Sequence, residues 1–239
     1  MFLTNTSKIS SKSLLHQLRE IGFDESAIPE TIDGRPTIMT SVGATRQYLI
    51  QNNLRPFCLV EDELIEQDFQ GVSMTDPNCV LVGLAPSKFN YERMNEAYRL
   101  LLNLRNNATS NVPHLIAIHR ATHYKDSDHQ LSLGPGGFIS LLEQAAGVTA
   151  HIVGKPSQEF YNAALSALRV ENPSDAIMIG DDVVGDIKGA LDSGLGGAIL
   201  VETGKYVAGD ESGEKTEGVV PTFKMDSIVE AVHHICFES

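Results

Sequence analysis

From His151 onward, short apolar segments alternate regularly with stretches of helical periodicity. The segments 152–153, 176–179 and 198–201 are each followed by a pattern typical of an amphipathic helix. Strands buried on both faces are continuous apolar runs, and strands that alternate with helices form a parallel sheet wrapped by those helices. The pattern therefore predicts an α/β fold with a Rossmann-like parallel sheet.

Charge and composition exclude several classes of partner. The 239 residues contain 18 basic and 31 acidic side chains, a formal net charge of −13. Because binding to a phosphate backbone requires a basic surface, we expect no nucleic-acid partner. No apolar run approaches the roughly 20 residues that span a bilayer, so we expect no membrane partner. The three cysteines are widely separated, which is typical of reduced thiols in a cytoplasmic protein.

Two polar segments are candidates for binding a phosphate group. Thr4 and Asn5 follow an apolar start and precede a helical pattern, so their side chains could donate hydrogen bonds to an anion. Lys155 stands between Gly154 and Pro156 after a predicted strand and could offset a phosphate charge. Taken separately, the first segment also fits an ordinary helix N-cap, and the second fits a surface lysine.

An acidic turn follows the strand predicted at 176–179. Asp181, Asp182 and Asp186 lie within six positions, and such crowding disfavours ionisation unless a cation is bound. Carboxylate oxygens suit Mg²⁺, which usually takes one or two protein carboxylates and keeps several waters. Acidic residues are also common at helix N-termini, so a purely structural role stays open. All three segments fall at the carboxyl ends of predicted parallel strands, where α/β sheets build their sites.

The segments TNTSK, VGKP and GDDVVGD, in this order, resemble the second, third and fourth motifs of haloacid dehalogenase-superfamily phosphatases. The segments VGLAPSKFNYERMNEAYRLL, LIAIH, LGPGGF and VETGKY resemble the subgroup with a large C2-type cap between the second and third motifs. The resemblance covers nearly the whole chain. It implies a core domain at 1–54 and 147–239, and an inserted α+β cap domain at 55–146.

The resemblance also implies roles for individual residues. Thr4 and Asn5 would contact the phosphate of a small phosphorylated metabolite, and Lys155 would offset its charge. Asp181 would bind Mg²⁺ directly, whereas Asp182 and Asp186 would hold metal-bound waters or orient Lys155. In such enzymes a separate aspartate attacks phosphorus to give an aspartyl-phosphate, which water hydrolyses.

The chain departs from the family pattern at the nucleophile. The nucleophilic motif belongs to the strand one βα unit upstream of TNTS, roughly 30 residues or more. The printed sequence begins inside the TNTS strand, and no aspartate precedes Thr4. We therefore expect a short isoform, a truncated sequence or a degenerate copy, inactive alone and lacking the first strand of the sheet.

Two functional interpretations remain open. One is a Mg²⁺-dependent phosphoric monoester hydrolase whose nucleophile lies outside these residues. The other is a non-catalytic protein that binds phosphate or metal, or a regulatory protein, with a possible homodimer through the cap. A phospho-accepting receiver domain is disfavoured, because receivers place the acidic pair first and the lysine last.

Overall fold

The computed structural model describes residues 1–26, 28–107, 113–126, 128, 130–212 and 218–237. Contacts divide the chain into two compact units, Met1–Gly154 and Lys155–Ser239. Both units combine parallel strands with helices, so the predicted α/β fold class is confirmed.

The first unit contains most of the regular structure. Its helices are α1 (Ser11–Glu20), α2 (Ser41–Gln51), α3 (Asp62–Gln67), α4 (Tyr91–Asn106) and α5 (Gly136–Ala146). Its strands are β1 (Phe2–Thr4), β2 (Thr31–Ile32), β3 (Arg35–Pro36), β4 (Ile38–Thr40), β5 (Pro56–Leu59), β6 (Cys79–Val82), β7 (Leu115–Ala117), β8 (His123–Lys125), β9 (Leu131–Leu133) and β10 (Ala150–Ile152).

These strands form parallel sheets and two small hairpins. A parallel sheet has the order β10-β7-β6-β5, and β1 pairs in parallel with β4. The strands β2 and β3 pair antiparallel, as do β8 and β9. At the tip of the first hairpin, Asp33 and Gly34 both adopt positive φ angles of 53° and 72°, which a tight two-residue turn requires.

The four-stranded sheet is buried on both faces. Leu81 and Ile116 pack on one face with Val42 and Leu49 of α2. The alternate residues of the same strands pack on the other face with α4 and α5. Because successive side chains of a strand point to opposite faces, strands covered on both sides must be apolar throughout, as β5, β6 and β7 are.

The four-stranded sheet contains strands from both of the predicted domains. Its strands β5, β6 and β7 lie in the range predicted for the cap, whereas β10 lies in the range predicted for the core. The predicted limits at 54/55 and 146/147 both fall inside the first unit. The division into a core of 1–54 and 147–239 and a cap of 55–146 stays a prediction.

The second unit is built on a three-stranded parallel sheet of order β11-β12-β13. Its strands are β11 (Ile177–Gly180), β12 (Gly197–Val201) and β13 (Phe223–Met225), and its helices are α6 (Gln158–Leu168), α7 (Gly189–Asp192) and α8 (Ile228–Phe237). A π-helical turn spans Val183–Lys188, and short 3₁₀ turns span Pro173–Asp175 and Asp210–Ser212. The central strand β12 is buried along its whole length, and its Ile199 and Val201 pack against Ala231 of α8.

No helix in the described ranges is long and apolar enough to cross a membrane.

We predict that Leu81→Ala lowers the free energy of unfolding by about 2–5 kcal/mol, because it leaves a cavity in a fully buried layer. Leu133→Ala is the matched control, since Leu133 is 75% exposed, and it should change stability by less than about 0.5 kcal/mol. Urea unfolding of both variants measures the difference. Equal effects would contradict the assignment of this layer as the core.

Candidate functional site

Thr4 and Thr6 close a tight turn directly after β1. The Thr4 hydroxyl donates to Thr6 Oγ1 at 2.9 Å, and the Thr6 amide donates to Thr4 Oγ1 at 3.1 Å. The turn holds the two threonine hydroxyls together at the carboxyl end of the strand. The one hydroxyl hydrogen of Thr4 is thus donated to Thr6, and the predicted contact with a phosphate would require this hydrogen to turn from Thr6 to the phosphate.

Asn5 lies against Gly154, the residue that precedes Lys155. A Cβ placed on Gly154 would come within 2.5 Å of Asn5 Oδ1 and 2.6 Å of the Ile118 carbonyl oxygen. Only glycine fits at this point, because the backbone passes directly between the side chain of Asn5 and the end of β7. The glycine of the VGKP segment is therefore needed for close packing.

Ser7 and His119 form a buried pair in the first unit. The Ser7 hydroxyl lies 2.8 Å from His119 Nε2 and accepts a hydrogen bond from the Leu84 amide at 3.0 Å. The Ala121 amide donates to His119 Nδ1 at 3.3 Å, so Nε2 carries the hydrogen and donates to Ser7. The pair therefore fixes the TNTS turn against the ends of β6 and β7, and His119 is not placed to take a proton from Ser7.

The N-terminus of α1 is occupied by carboxylates of the same unit. The Ser10 amide donates to Glu63 Oε1 at 3.3 Å, and the Ser11 amide donates to Asp68 at 3.2 Å. Hydrogen bonds from Ser10 and from the Ser13 hydroxyl lower the pKa of Glu63. The amides of Ser10 and Ser11 are therefore already bound to carboxylates. Hydrogen bonds to a phosphate would have to come from the turn at Thr4 and Asn5.

In the second unit, the predicted acidic turn begins where β11 ends. Asp182 Oδ1 accepts hydrogen bonds from the amides of Val184 and Gly185, at 3.2 and 2.9 Å. Asp182 is thus the cap of the π-helical turn. Turns of this kind are rare and are frequent at functional sites. The role of Asp182 as a helix cap is compatible with its predicted role in holding a metal-bound water.

Lys155 and Asp186 form an ion pair that is almost withdrawn from solvent. Lys155 Nζ lies 2.6 Å from Asp186 Oδ1, and the two side chains are 10% and 6% exposed. Burial raises the pKa of Asp186, and the Lys155 ammonium opposes that rise. The Asp182 amide donates to Asp186 Oδ2 at 3.2 Å. Asp186 therefore joins Lys155 to the acidic turn.

Lys205 is the residue of this cluster that the motif analysis did not single out. Its ammonium lies 2.5 Å from Asp182 Oδ2, and its backbone amide donates to Asp181 Oδ2 at 2.7 Å. Burial alone would raise the pKa of Asp182, but Lys205 and the Gly185 amide outweigh burial, and the pKa is lowered. The VETGKY segment, noted for its family resemblance, contained the signal for this lysine.

Tyr161 of α6 holds the backbone of the acidic turn through its hydroxyl group. Its buried hydroxyl lies 2.8 Å from the Gly185 carbonyl oxygen and 3.1 Å from that of Asp186. Burial raises the pKa of the phenol, so the hydroxyl keeps its proton and acts as a donor.

Asp181 differs from the other two carboxylates of the acidic turn in its ion pairing. Asp182 and Asp186 are each paired with a lysine, whereas Asp181 makes no ion pair within the described part of the second unit. Mg²⁺ is commonly held by one or two carboxylates with water completing the shell, so the free oxygen of Asp181 suits it. No group of three or more His, Cys, Asp and Glu side chains in the described ranges converges as a metal site. The assignment of Asp181 as the direct Mg²⁺ ligand stays a prediction.

The predicted site residues fall in both units. The second unit contains Lys155, Asp181, Asp182 and Asp186, which hydrogen bonds and ion pairs link to one another through Lys205 and the turn. Thr4 and Asn5 belong to the first unit. Their predicted action on the same phosphate as Lys155 stays a prediction.

Comparison with known proteins gives sequence relatives. A family model described as HAD-hydrolase-like matches residues 152–231. Haloacid dehalogenase-like hydrolase domain-containing protein 2 from Homo sapiens is 44% identical over 234 residues, which covers 98% of this chain and 82% of that protein. Phospholysine phosphohistidine inorganic pyrophosphate phosphatase from Mus musculus is 39% identical over 210 residues, which covers 88% of this chain and 71% of that protein.

Solved structures with a similar fold were also found. A p-nitrophenyl phosphatase from Archaeoglobus fulgidus has a TM-score of 0.76 and 25% identity, covering 97% of this chain and 85% of that chain. NagD from E. coli has a TM-score of 0.73 and 23% identity, covering 95% of this chain and 82% of that chain. At this low identity the likeness to NagD concerns the fold alone.

We predict that Tyr161→Phe lowers the free energy of unfolding by about 1–3 kcal/mol, because the buried carbonyl groups of the acidic turn lose the hydrogen bond that this hydroxyl donates. Tyr91→Phe is the matched control, since Tyr91 is 82% exposed. Thermal unfolding of the two variants should separate them clearly. A Tyr161→Phe protein as stable as the control would show that the hydroxyl does not support the turn.

Proposed function

Because this chain belongs to the haloacid dehalogenase-like hydrolases, we propose that its acidic turn derives from the Mg²⁺ site of a phosphatase acting on small phosphorylated compounds. The phosphatase lineage follows from relatives and solved structures that are phosphatases. The proposal adds three points to this lineage: Mg²⁺ dependence, the class of substrate and the state of the catalytic machinery.

The observation that carries this proposal is the placement of Lys155. A lysine is costly to hold in a nearly buried position, and it is kept there by Asp186, a carboxylate of the same acidic turn that contains Asp181. A fixed ammonium and a carboxylate metal ligand are the two groups that binding of a metal-phosphate pair requires. A surface lysine or a simple helix cap would not need this burial.

Each residue then has a defined task. Lys155 offsets the charge of the substrate phosphate, and Asp186 holds its ammonium in position. In the same proposal Thr4 and Asn5 of the first unit would bind phosphate oxygens, for which the Thr4 hydroxyl would turn its hydrogen away from Thr6. Asp181 is the protein ligand of Mg²⁺, which when bound polarises the phosphoryl group.

We further propose that the 239 residues do not hydrolyse phosphate esters by themselves. No aspartate precedes Thr4 in them, and the one DxSG match, at 210–213, follows β12 instead of preceding the TNTS segment, where the family resemblance places the nucleophile. Loss of a nucleophile usually removes several powers of ten in rate. The second candidate function, non-catalytic binding of phosphate or metal, follows from the same observation, because the remaining site residues are present.

The outer edge of β11 supports the view that a further strand belongs to this fold. Among the described strands, β11 pairs only with β12. Ile177 of β11 is 49% exposed although it begins an apolar strand. Unpaired backbone edges flanked by exposed apolar side chains are unfavourable, and pairing with another strand would relieve both defects.

We predict that Asp181→Asn weakens Mg²⁺ binding by about tenfold or more, because the substitution removes the one carboxylate of the turn that has no lysine partner in the described second unit. Asp192→Asn is the matched control, with the same change of charge on an exposed side chain paired with Lys188. Titration calorimetry gives both affinities. Equal affinities for the two variants would refute Asp181 as the ligand.

The proposed catalytic state is tested by restoring a nucleophile. The 239-residue chain should show negligible Mg²⁺-dependent hydrolysis of p-nitrophenyl phosphate. A chimera that prefixes a first strand and helix from a close relative, with its nucleophilic aspartate, should be more stable and should hydrolyse the ester, since a central strand satisfies two rows of backbone groups.

The control chimera carries Asn in place of that aspartate and should fold without activity. If the chimera folds but cleaves none of a broad panel of phosphorylated compounds, the non-catalytic binding function is correct. Robust turnover by the 239-residue chain that is lost in Lys155→Ala would refute the proposed inactivity.

A further inference from the structure

Lys205 contacts two neighbouring carboxylates through two different groups. Its ammonium pairs with Asp182, and its backbone amide donates to Asp181. The first contact depends on the charge of the side chain, whereas the second does not. A substitution of the side chain can therefore separate the charge from the backbone contact.

The backbone crosses the acidic turn at very short range. Gly204 has a φ of 63°, and a Cβ at this position would overlap the carboxylate of Asp181. Glycine permits both the left-handed conformation and the close approach. The position of Lys205 over the turn is thus fixed by the backbone before its side chain makes any contact.

The segment that carries Lys205 is held from the other side by Lys224 of β13. Lys224 Nζ lies 2.8 Å from the Tyr206 hydroxyl and pairs with Glu202 and Glu211 at 2.9 and 3.1 Å. Tyr206 donates in turn to Glu211 at 2.6 Å. The residue after Lys205 is therefore anchored, so the contact with Asp182 belongs to an ordered segment.

We propose that Lys205 is a built-in counter-ion of the acidic turn that competes with a divalent cation and lowers the affinity of the turn for Mg²⁺. The inference rests on the proposed function, because it concerns the same metal position. Asp181, Asp182 and Asp186 carry three negative charges, and the paired Lys155 and Lys205 supply two positive charges.

The charge balance gives the direction of the effect. Removal of Lys205 leaves one more uncompensated negative charge beside Asp181, and cation affinity rises with the negative charge of its ligands. The same removal exposes neighbouring carboxylates to mutual repulsion when no metal is present. Lys205 thus stabilises the metal-free chain and disfavours the metal-bound one.

The test is titration calorimetry with MgCl₂ on the whole chain. Lys205→Met should bind Mg²⁺ roughly tenfold more tightly than the parent, because the charge is lost and the backbone amide is kept. Lys205→Arg should match the parent. Lys188→Met is the charge-matched control, since Lys188 pairs with Asp192 on the next helical turn, and it should also match the parent.

Thermal unfolding provides a second readout that needs no activity. Without Mg²⁺, Lys205→Met should melt below the parent, and saturating Mg²⁺ should raise its melting temperature more than that of the parent. Lys205→Gln serves as a second neutral variant if Lys205→Met does not fold.

The results separate the two proposals. If the parent binds Mg²⁺ through Asp181 and the neutral variants bind it no more tightly, the counter-ion inference alone is overturned. If neither the parent nor the neutral variants bind Mg²⁺, the proposed metal site and the inference both fail. Tighter binding by Lys188→Met equal to that of Lys205→Met would also overturn the inference, because any lysine would then have the same effect.

Discussion

The buried ion pair between Lys155 and Asp186 is the interaction on which the second unit's polar cluster depends. Asp186 accepts from the Lys155 ammonium and from the Asp182 amide, so one carboxylate joins the first residue of the unit to the turn after β11. Removing one partner of such a pair leaves an uncompensated buried charge, which commonly costs about 3–5 kcal/mol. Tyr161 binds the same turn through its backbone, which reduces the freedom of the pair further.

Carboxylates also organise the first unit, in a different way. Glu63 of α3 and Asp68, the residue directly after α3, accept hydrogen bonds from the amides at the start of α1. These amides would otherwise be a general anion site, since the N-terminus of a helix attracts negative charge. The chain satisfies this end of the helix internally, and the turn at Thr4 and Asn5 is left as the polar group at the carboxyl end of β1. Ser7 and His119 then fix that turn against the neighbouring strands.

Several features could be predicted from the sequence because they depend on local pattern. The apolar runs predicted the bounds of β6, β7 and β12 to within one or two residues, because a strand buried on both faces is a continuous run of apolar residues. The family resemblance is confirmed by relatives that are 44% and 39% identical. The acidic turn was identified because its three carboxylates are close in the chain. The pairing of β10 with β7 could not be predicted, because the order of strands in a sheet is not a local property.

The sequence by itself determined the α/β class, the family, and the residue types available at the strand ends. Tertiary structure alone decided how those charges are paired. Lys205 reaches Asp182 across 23 residues, and Ser7 reaches His119 across 112. Spacing in the chain carries no signal for such contacts, because they depend on where the strands place distant segments. The physical reason is that burial demands a partner for each charge or polar group, and the fold selects which of the chemically suitable partners lies within reach.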